Sequence, residues 1–251
     1  MTDTQENSTA VRFDHVSKSF DTKKVLTDVS FQIKRGEAFC LLGRSGIGKS
    51  VTLRLMIGLL KPEHGEISIY GTNIVTTDTA TLNGVRKTMG FLFQDAALFD
   101  SLSVADNVAF PLRRHTDKSD RQIRAVVREK LKDVELEKEE NTMPSQLSGG
   151  MRKRAGLARA LALDPQILLV DEPSSGLDRI TAIEIYNLLQ SLKKRRNVTL
   201  VVVTHDVAGV HKFADRFAVL DRGRIVGCGT YSEVENSENS LVRELAAGSK
   251  T

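Results

Sequence analysis

Gly43-Arg44-Ser45-Gly46-Ile47-Gly48-Lys49-Ser50 combines residue types that bind phosphate at the spacing such binding requires, G-x-x-x-x-G-K-[ST]. Glycines at 43, 46 and 48 let the backbone approach an anion with no side chain in the way. Successive amide N–H groups and the positive end of a following helix then face the phosphates. The Lys49 ammonium is expected to reach the β- and γ-phosphates of a nucleoside triphosphate, and the Ser50 hydroxyl suits a magnesium ion bridging the same two groups. Arg44, Ser45, Ile47 and Val51 complete the run of residues expected to contact the nucleotide.

Two further constellations lie downstream. Asp171-Glu172 follows the apolar run Ile167-Leu168-Leu169-Val170, so both carboxylates emerge at the C-terminal edge of a parallel sheet, where α/β proteins place ligands. One acid there orients magnesium, and a second polarises a water for attack on the γ-phosphate. The competing reading makes them the cap of a helix that Pro173 opens. Leu147-Ser148-Gly149-Gly150-Met151 is another anion site: a serine cap, two glycines and the exposed amides of a helix start.

The elements that must carry these groups are legible in outline. Ala38 to Leu42 is a short buried strand into the loop, and Leu53, Leu55, Met56, Leu59 and Leu60 follow at helical spacing. Val11 to Phe13, Val29 to Ile33 and Ile67 to Tyr70 read as strands of a β-rich flap. Ile167 to Val170 and Val198 to Val203, separated by a helical pattern over Ile180 to Leu192, read as a βαβ unit. Between the halves, Val104 to Ala162 is dominated by charged helical stretches, including a basic helix over Arg113 to Lys132, and reads as an inserted helical lobe. The fold class is α/β.

Composition sets bounds. The 251 residues suit one large α/β domain or two packed lobes. A net charge of +4 fits an anionic nucleotide but is too mild to argue for nucleic acid. No apolar run is long enough to span a bilayer, and the polar start from Met1 to Thr9 lacks the features of a signal peptide. Cys40 and Cys228 have no metal spacing and form no disulfide framework, so a reduced cytosol is the natural setting. The run Lys193-Lys194-Arg195-Arg196 suits a helix C-terminus.

Leu147 to Met151 and the helix after it resemble the signature of ATP-binding cassette (ABC) ATPases, and the order of the other motifs resembles that family from about Val11 to Gly229. The resemblance implies a P-loop NTPase (RecA-like) core with an antiparallel β subdomain and a helical subdomain over about 97–162. Residues 1–10 would be a tail, 11–230 the ATPase domain and 231–251 a short C-terminal segment, either a small dimerisation element or frayed. Gln94 takes the Q-loop place, touching magnesium and the attacking water. Glu172 becomes the general base or water-positioner, and His205 the switch histidine on the γ-phosphate. Phe20 stacks on adenine, and Ser50, Gln94 and Asp171 hold Mg2+. Two copies would face each other head to tail around ATP. Ser148, Gly149, Gly150 and Asp178, the last in the D-loop Ser174-Ser175-Gly176-Leu177-Asp178, would then act on the partner's nucleotide. Arg179-Ile180 departs from the family, in which proline is common after the D-loop aspartate.

Phe91 to Leu102 and Asn107 to Leu112 resemble the permease-docking groove of transporter ATPases. The phrase Phe-x-Asp-Ala-Ala-Leu-Phe, with Met151 in the signature, is similar to the ATPase subunits of Mla or MCE-type phospholipid transport systems. That resemblance implies a homodimer on the cytoplasmic face of the inner membrane, an integral permease, an MCE-domain lipid-binding protein, and no nucleic acid. An importer ATPase for another small solute shares every catalytic residue. A soluble, non-transport cassette would carry paired cassettes or a long coiled-coil insertion, and a nucleotide-binding scaffold would not need Glu172.

Overall fold

The computed structural model describes residues 8–247. In chain order these form β1 (Thr9–Phe20), β2 (Lys23–Lys34), β3 (Ala38–Leu42), α1 (Lys49–Met56), β4 (His64–Ile69), β5 (Thr72–Asn73), α2 (Thr79–Lys87), β6 (Met89–Leu92), α3 (Val104–His115), α4 (Asp120–Asp133), α5 (Gly149–Ala160), β7 (Ile167–Asp171), α6 (Arg179–Arg196), β8 (Thr199–Thr204), α7 (Val207–Val210), β9 (Arg216–Asp221), β10 (Arg224–Gly229), α8 (Tyr231–Glu235) and α9 (Ser240–Ala247). They divide into two compact units, one of residues up to Arg86 together with those from Val198 onward, the other Lys87–Asn197.

The first unit holds two sheets. Strands β2, β1, β4 and β5 pair antiparallel in that order. In β2 the residues from Val29 to Ile33 alternate buried and exposed, as a one-sided sheet demands. Every residue of β3 and β8 is buried, the continuous apolar pattern of parallel strands covered on both faces. β3 pairs in parallel with both β8 and β9, and β10 joins β9 antiparallel. A stack of Phe13 on Phe31 at 4.6 Å and Phe31 on Phe39 at 5.3 Å ties the antiparallel sheet to β3.

The second unit sets the parallel pair β6 and β7 beside the helices α3 to α6. Gly90 in β6 faces α5 so closely that a Cβ would fall 2.3 Å from the Ala160 carbonyl oxygen. Lys130, fully buried, donates to Asp164 at 2.5 Å and to Glu129 at 3.1 Å. Arg196 at the end of α6 donates to Asp164, Glu129 and Asp133. Both side chains thus meet Asp164, and Arg196 reaches Glu129 and Asp133 of α4 as well, so the last residue of the basic run at 193–196 ties α6 to α4 besides serving the helix dipole.

Several sequence expectations shift. The basic stretch 113–132 is two helices: α3 ends at His115, and Ser119 opens α4 with a capping box to Gln122. Helix α1 stops at Met56 because the chain turns at Gly58, φ +69, which leaves Leu59 54% exposed. β1 begins at Thr9, inside the stretch expected to be a tail, while residues 1–7 of that stretch lie outside the described residues. The segment from Tyr231 folds as α8 and α9, with Val234, Val242 and Ala246 buried and Val242 packed against Gly227 of β10. Among the described residues no helix is long and apolar enough to cross a membrane.

Candidate active site

In the first unit the phosphate loop runs from the end of β3 to the start of α1. Gly43 must lack a side chain, since a Cβ would sit 2.7 Å from the Leu220 carbonyl oxygen of β9. Gly48 holds φ +119 at the helix start, a conformation only glycine adopts without strain. The first turn of α1 has no side-chain cap and no acidic residue of its own, so the helix itself supplies nothing to offset its positive end. The Lys49 side chain is nearly buried, its ammonium donating to the carbonyls of Gly43 at 2.7 Å and Arg44 at 3.1 Å. The Arg44 guanidinium turns outward to Glu244 of α9 at 3.2 Å.

Phe20, at the end of β1, is 42% exposed, with the Lys18 ammonium 5.2 Å from its ring centre. It is therefore not a core residue, and an exposed ring is what stacking on a base needs. Phe20→Ala should weaken ATP binding roughly 10-fold, the scale of one aromatic stack, while leaving the thermal midpoint unchanged; a fluorescent-nucleotide titration beside a melting curve checks both. His205 is exposed directly after β8. The turn that follows is capped by Asp206, which accepts from Gly209 N–H at 3.2 Å.

In the second unit β6 delivers Gln94 into an irregular loop. Ala96 and Ala97 hold positive φ, +58 and +50, and Arg159 of α5 donates to both their carbonyls, at 2.8 and 2.7 Å. Burial pushes the Arg159 guanidinium below its ordinary pKa. Fully buried Asn107 fixes the next segment: its carbonyl accepts from Phe99 N–H at 2.8 Å, and its amide lies 3.0–3.1 Å from the carbonyls of Phe99, Leu102 and Ser103. Phe99 and Phe110 remain exposed, with ring centres 4.7 Å apart.

Asp171 ends β7 and Glu172 follows it, both nearly buried. Glu172 has φ +44, a backbone strain that a non-glycine residue carries only where its surroundings impose it. The acids do not cap the next helix. Asp178 does, accepting from Ile180 N–H at 3.0 Å, Thr181 N–H at 3.1 Å and the Thr181 hydroxyl at 2.6 Å. The Thr181 hydroxyl, with the backbone amides, holds the Asp178 carboxyl below its ordinary range. The Gln94 amide donates to the Ser175 hydroxyl at 3.2 Å, linking the loop after β6 to the one before α6. Ser148 caps α5 through Met151 N–H at 3.2 Å, with Gly149 exposed and Gly150 buried against Thr181. Gln94, Lys153, Gly149 and Ser175 help to line a cavity of about 520 Å³.

The predicted residues thus fall on both units: Phe20, Gly43 to Val51 and His205 on the first, and Gln94, Ser148 to Gly150, Asp171, Glu172 and Asp178 on the second. Residues 26–175 match the family model described as ABC transporter. The chain belongs to the ABC transporter family. It is an ATPase of that family, and over 239 residues, 95% of its length, it is 44% identical to the probable ribonucleotide transport ATP-binding protein mkl of Mycobacterium leprae, of which the match covers 69%. It is 40% identical over 233 residues to the intermembrane phospholipid transport system ATP-binding protein MlaF of Escherichia coli K12, covering 93% of this chain and 87% of that one. Among solved structures it resembles a dimeric, post-hydrolysis ATP-binding cassette bound to ADP and Pi, with a TM-score of 0.81 and 35% identity over 88% of this chain and 98% of the other.

Sequence reasoning gave no individual role to Lys153 or Arg159 of this cassette, and took Asn107 only as the start of a stretch resembling a docking groove, not as the buried side chain that holds the Phe99 backbone. A signal existed for Lys153: at three residues after Gly150 and four before Leu157 it stands on the buried stripe of α5, where a lysine is out of place unless its ammonium is held.

Proposed function

We propose that this cassette is the ATP-hydrolysing subunit of an ABC system that moves phospholipid, working as a homodimer at the cytoplasmic face of the inner membrane beneath an integral permease, with an MCE-domain lipid-binding protein as a further partner. The observation that carries this reading is the identity with MlaF along nearly the whole chain. The exposed pair Phe99 and Phe110, on the segment that Asn107 holds rigid, is the surface assigned to the permease.

In this reading Lys49 and the amides from Gly43 to Val51 hold the phosphates, and Phe20 receives the adenine. Glu172, held close to the β7 strand end in a dry environment, takes the proton of the attacking water or orients it; Gln94 and His205 fix the water and the γ-phosphate. Ser148, Gly149, Gly150 and Asp178 complete the site of the partner copy, so that ATP joins the two. Ser50, Asp171 and Gln94 are hard oxygen donors of the kind Mg2+ selects, with one carboxylate among them, as suits an ion that binds mainly through phosphate and water. When bound, Mg2+ supplies charge neutralisation at the transferring phosphoryl group.

The test is to isolate the chain from membranes with its native partners, identify the integral protein that accompanies it, and reconstitute the assembly with labelled phospholipid. ATP-dependent phospholipid movement between vesicles is the expected result. A permease that raises turnover only with a soluble solute would refute it. The identity with mkl, whose name gives ribonucleotide transport, makes nucleotides the second solute class to assay.

A further inference from the structure

We propose that Lys153 is a positioning residue for hydrolysis: its ammonium fastens the backbone at Gln94 and at Glu172 to α5, the helix whose first turn carries Ser148, Gly149 and Gly150. Lys153 is 5% exposed and donates to the Gln94 carbonyl and, at 3.3 Å, to the Glu172 carbonyl. A buried ammonium is costly unless hydrogen-bonded and surrounded by opposite charge. Here burial works against the cation, while Asp95, Asp171 and Glu172 favour it. A core position that tolerates a lysine at this cost is accounted for by those acceptors.

The two carbonyls matter because of whose they are. Each belongs to the residue whose side chain is assigned to the attacking water, so turning either peptide plane turns that side chain. Glu172 is the more sensitive, since its φ of +44 is a strained value that relaxes once its surroundings stop imposing it. Gln94 also leads into the positive-φ pair Ala96 and Ala97, whose carbonyls Arg159 holds from the same helix. α5 therefore grips the Q-loop at two points and the catalytic strand end at one. Ser148 lies five residues before Lys153, at the cap of the same rigid element. A shift of that cap on engaging the partner's nucleotide is carried directly to the backbone at Gln94 and Glu172.

This inference rests on the roles given to Gln94 and Glu172, and the experiment separates the two. ATP turnover of the full chain, in the assembly that purifies with it, is measured for Lys153→Arg, Lys153→Gln and Lys153→Met beside Glu172→Gln. For Lys153→Met we expect kcat to fall about 10-fold or more with KM for ATP within about twofold, the pattern of a lost transition-state arrangement rather than lost binding. Lys153→Arg, which keeps a charged donor, should retain about half of kcat. Lys153→Gln, with one neutral donor, should fall between them. Full kcat in the Met variant, equal losses in Met and Arg, or a raised KM at unchanged kcat would each overturn the proposal. If the Met variant does not melt cooperatively, the order Lys, Arg, then Gln decides, and a Gln variant equal to wild type refutes it. Normal hydrolysis by Glu172→Gln refutes the base assignment alone, because the order among the Lys153 variants is read independently.

Discussion

Glu172→Gln should retain ATP binding while phosphate release falls about 10²- to 10⁴-fold, the range a positioned general base or water-orienting group contributes. The substitution keeps shape and volume at a nearly buried position, so the packing around β7 and the strained backbone at φ +44 are preserved. The negative charge and the capacity to accept a proton are removed. If hydrolysis is what releases a closed pair of cassettes, the variant should accumulate as an ATP-loaded dimer. Size-exclusion chromatography with ATP, run beside a phosphate-release assay, reads both consequences. A monomer that still hydrolyses at the native rate would move the base elsewhere and remove the need for a second copy.

Lys49→Ala should lose ATP affinity by roughly 100-fold or more, the scale of one or two charge-assisted hydrogen bonds to phosphate. Two effects add. The phosphates lose their cation, and the loop loses the clasp by which the Lys49 ammonium holds the carbonyls of Gly43 and Arg44. The second effect predicts that even the nucleotide-free loop becomes more mobile, measurable as faster amide exchange over 43–48. Retained tight binding in an equilibrium titration would dissociate this loop from phosphate recognition.

The phosphate loop could be read from the sequence because glycine spacing and a lysine report a backbone shape directly, and β3 and β7 because residues buried on both faces leave an unbroken apolar run. Other features depend on partners distant in the chain. β10 carries two glycines and little apolar side chain, so its sequence does not announce a strand; it is made by the tight turn at Arg222 and Gly223, both at positive φ, which folds it back on β9. The break between α3 and α4 hides in a run of charged, helix-compatible residues and is set by the Ser119 cap. α9 is ordered by Val242 packing on Gly227, a contact no local pattern contains. At the site, the residues proposed to act through side chains stand out by type, whereas Lys153, Arg159 and Asn107 bond to backbone carbonyls and amides whose whereabouts only folding defines.

Asn107 has one more consequence. By accepting from the Phe99 N–H and sharing its two amide protons among the nearby carbonyls of Phe99, Leu102 and Ser103, this interior side chain shapes the stretch 99–103 before anything rests on it. If the proposed membrane partner seats on Phe99 and Phe110, it would meet a preformed step and lose little conformational freedom there, and a push on that step would pass into the helix bearing Asn107 instead of being absorbed as slack.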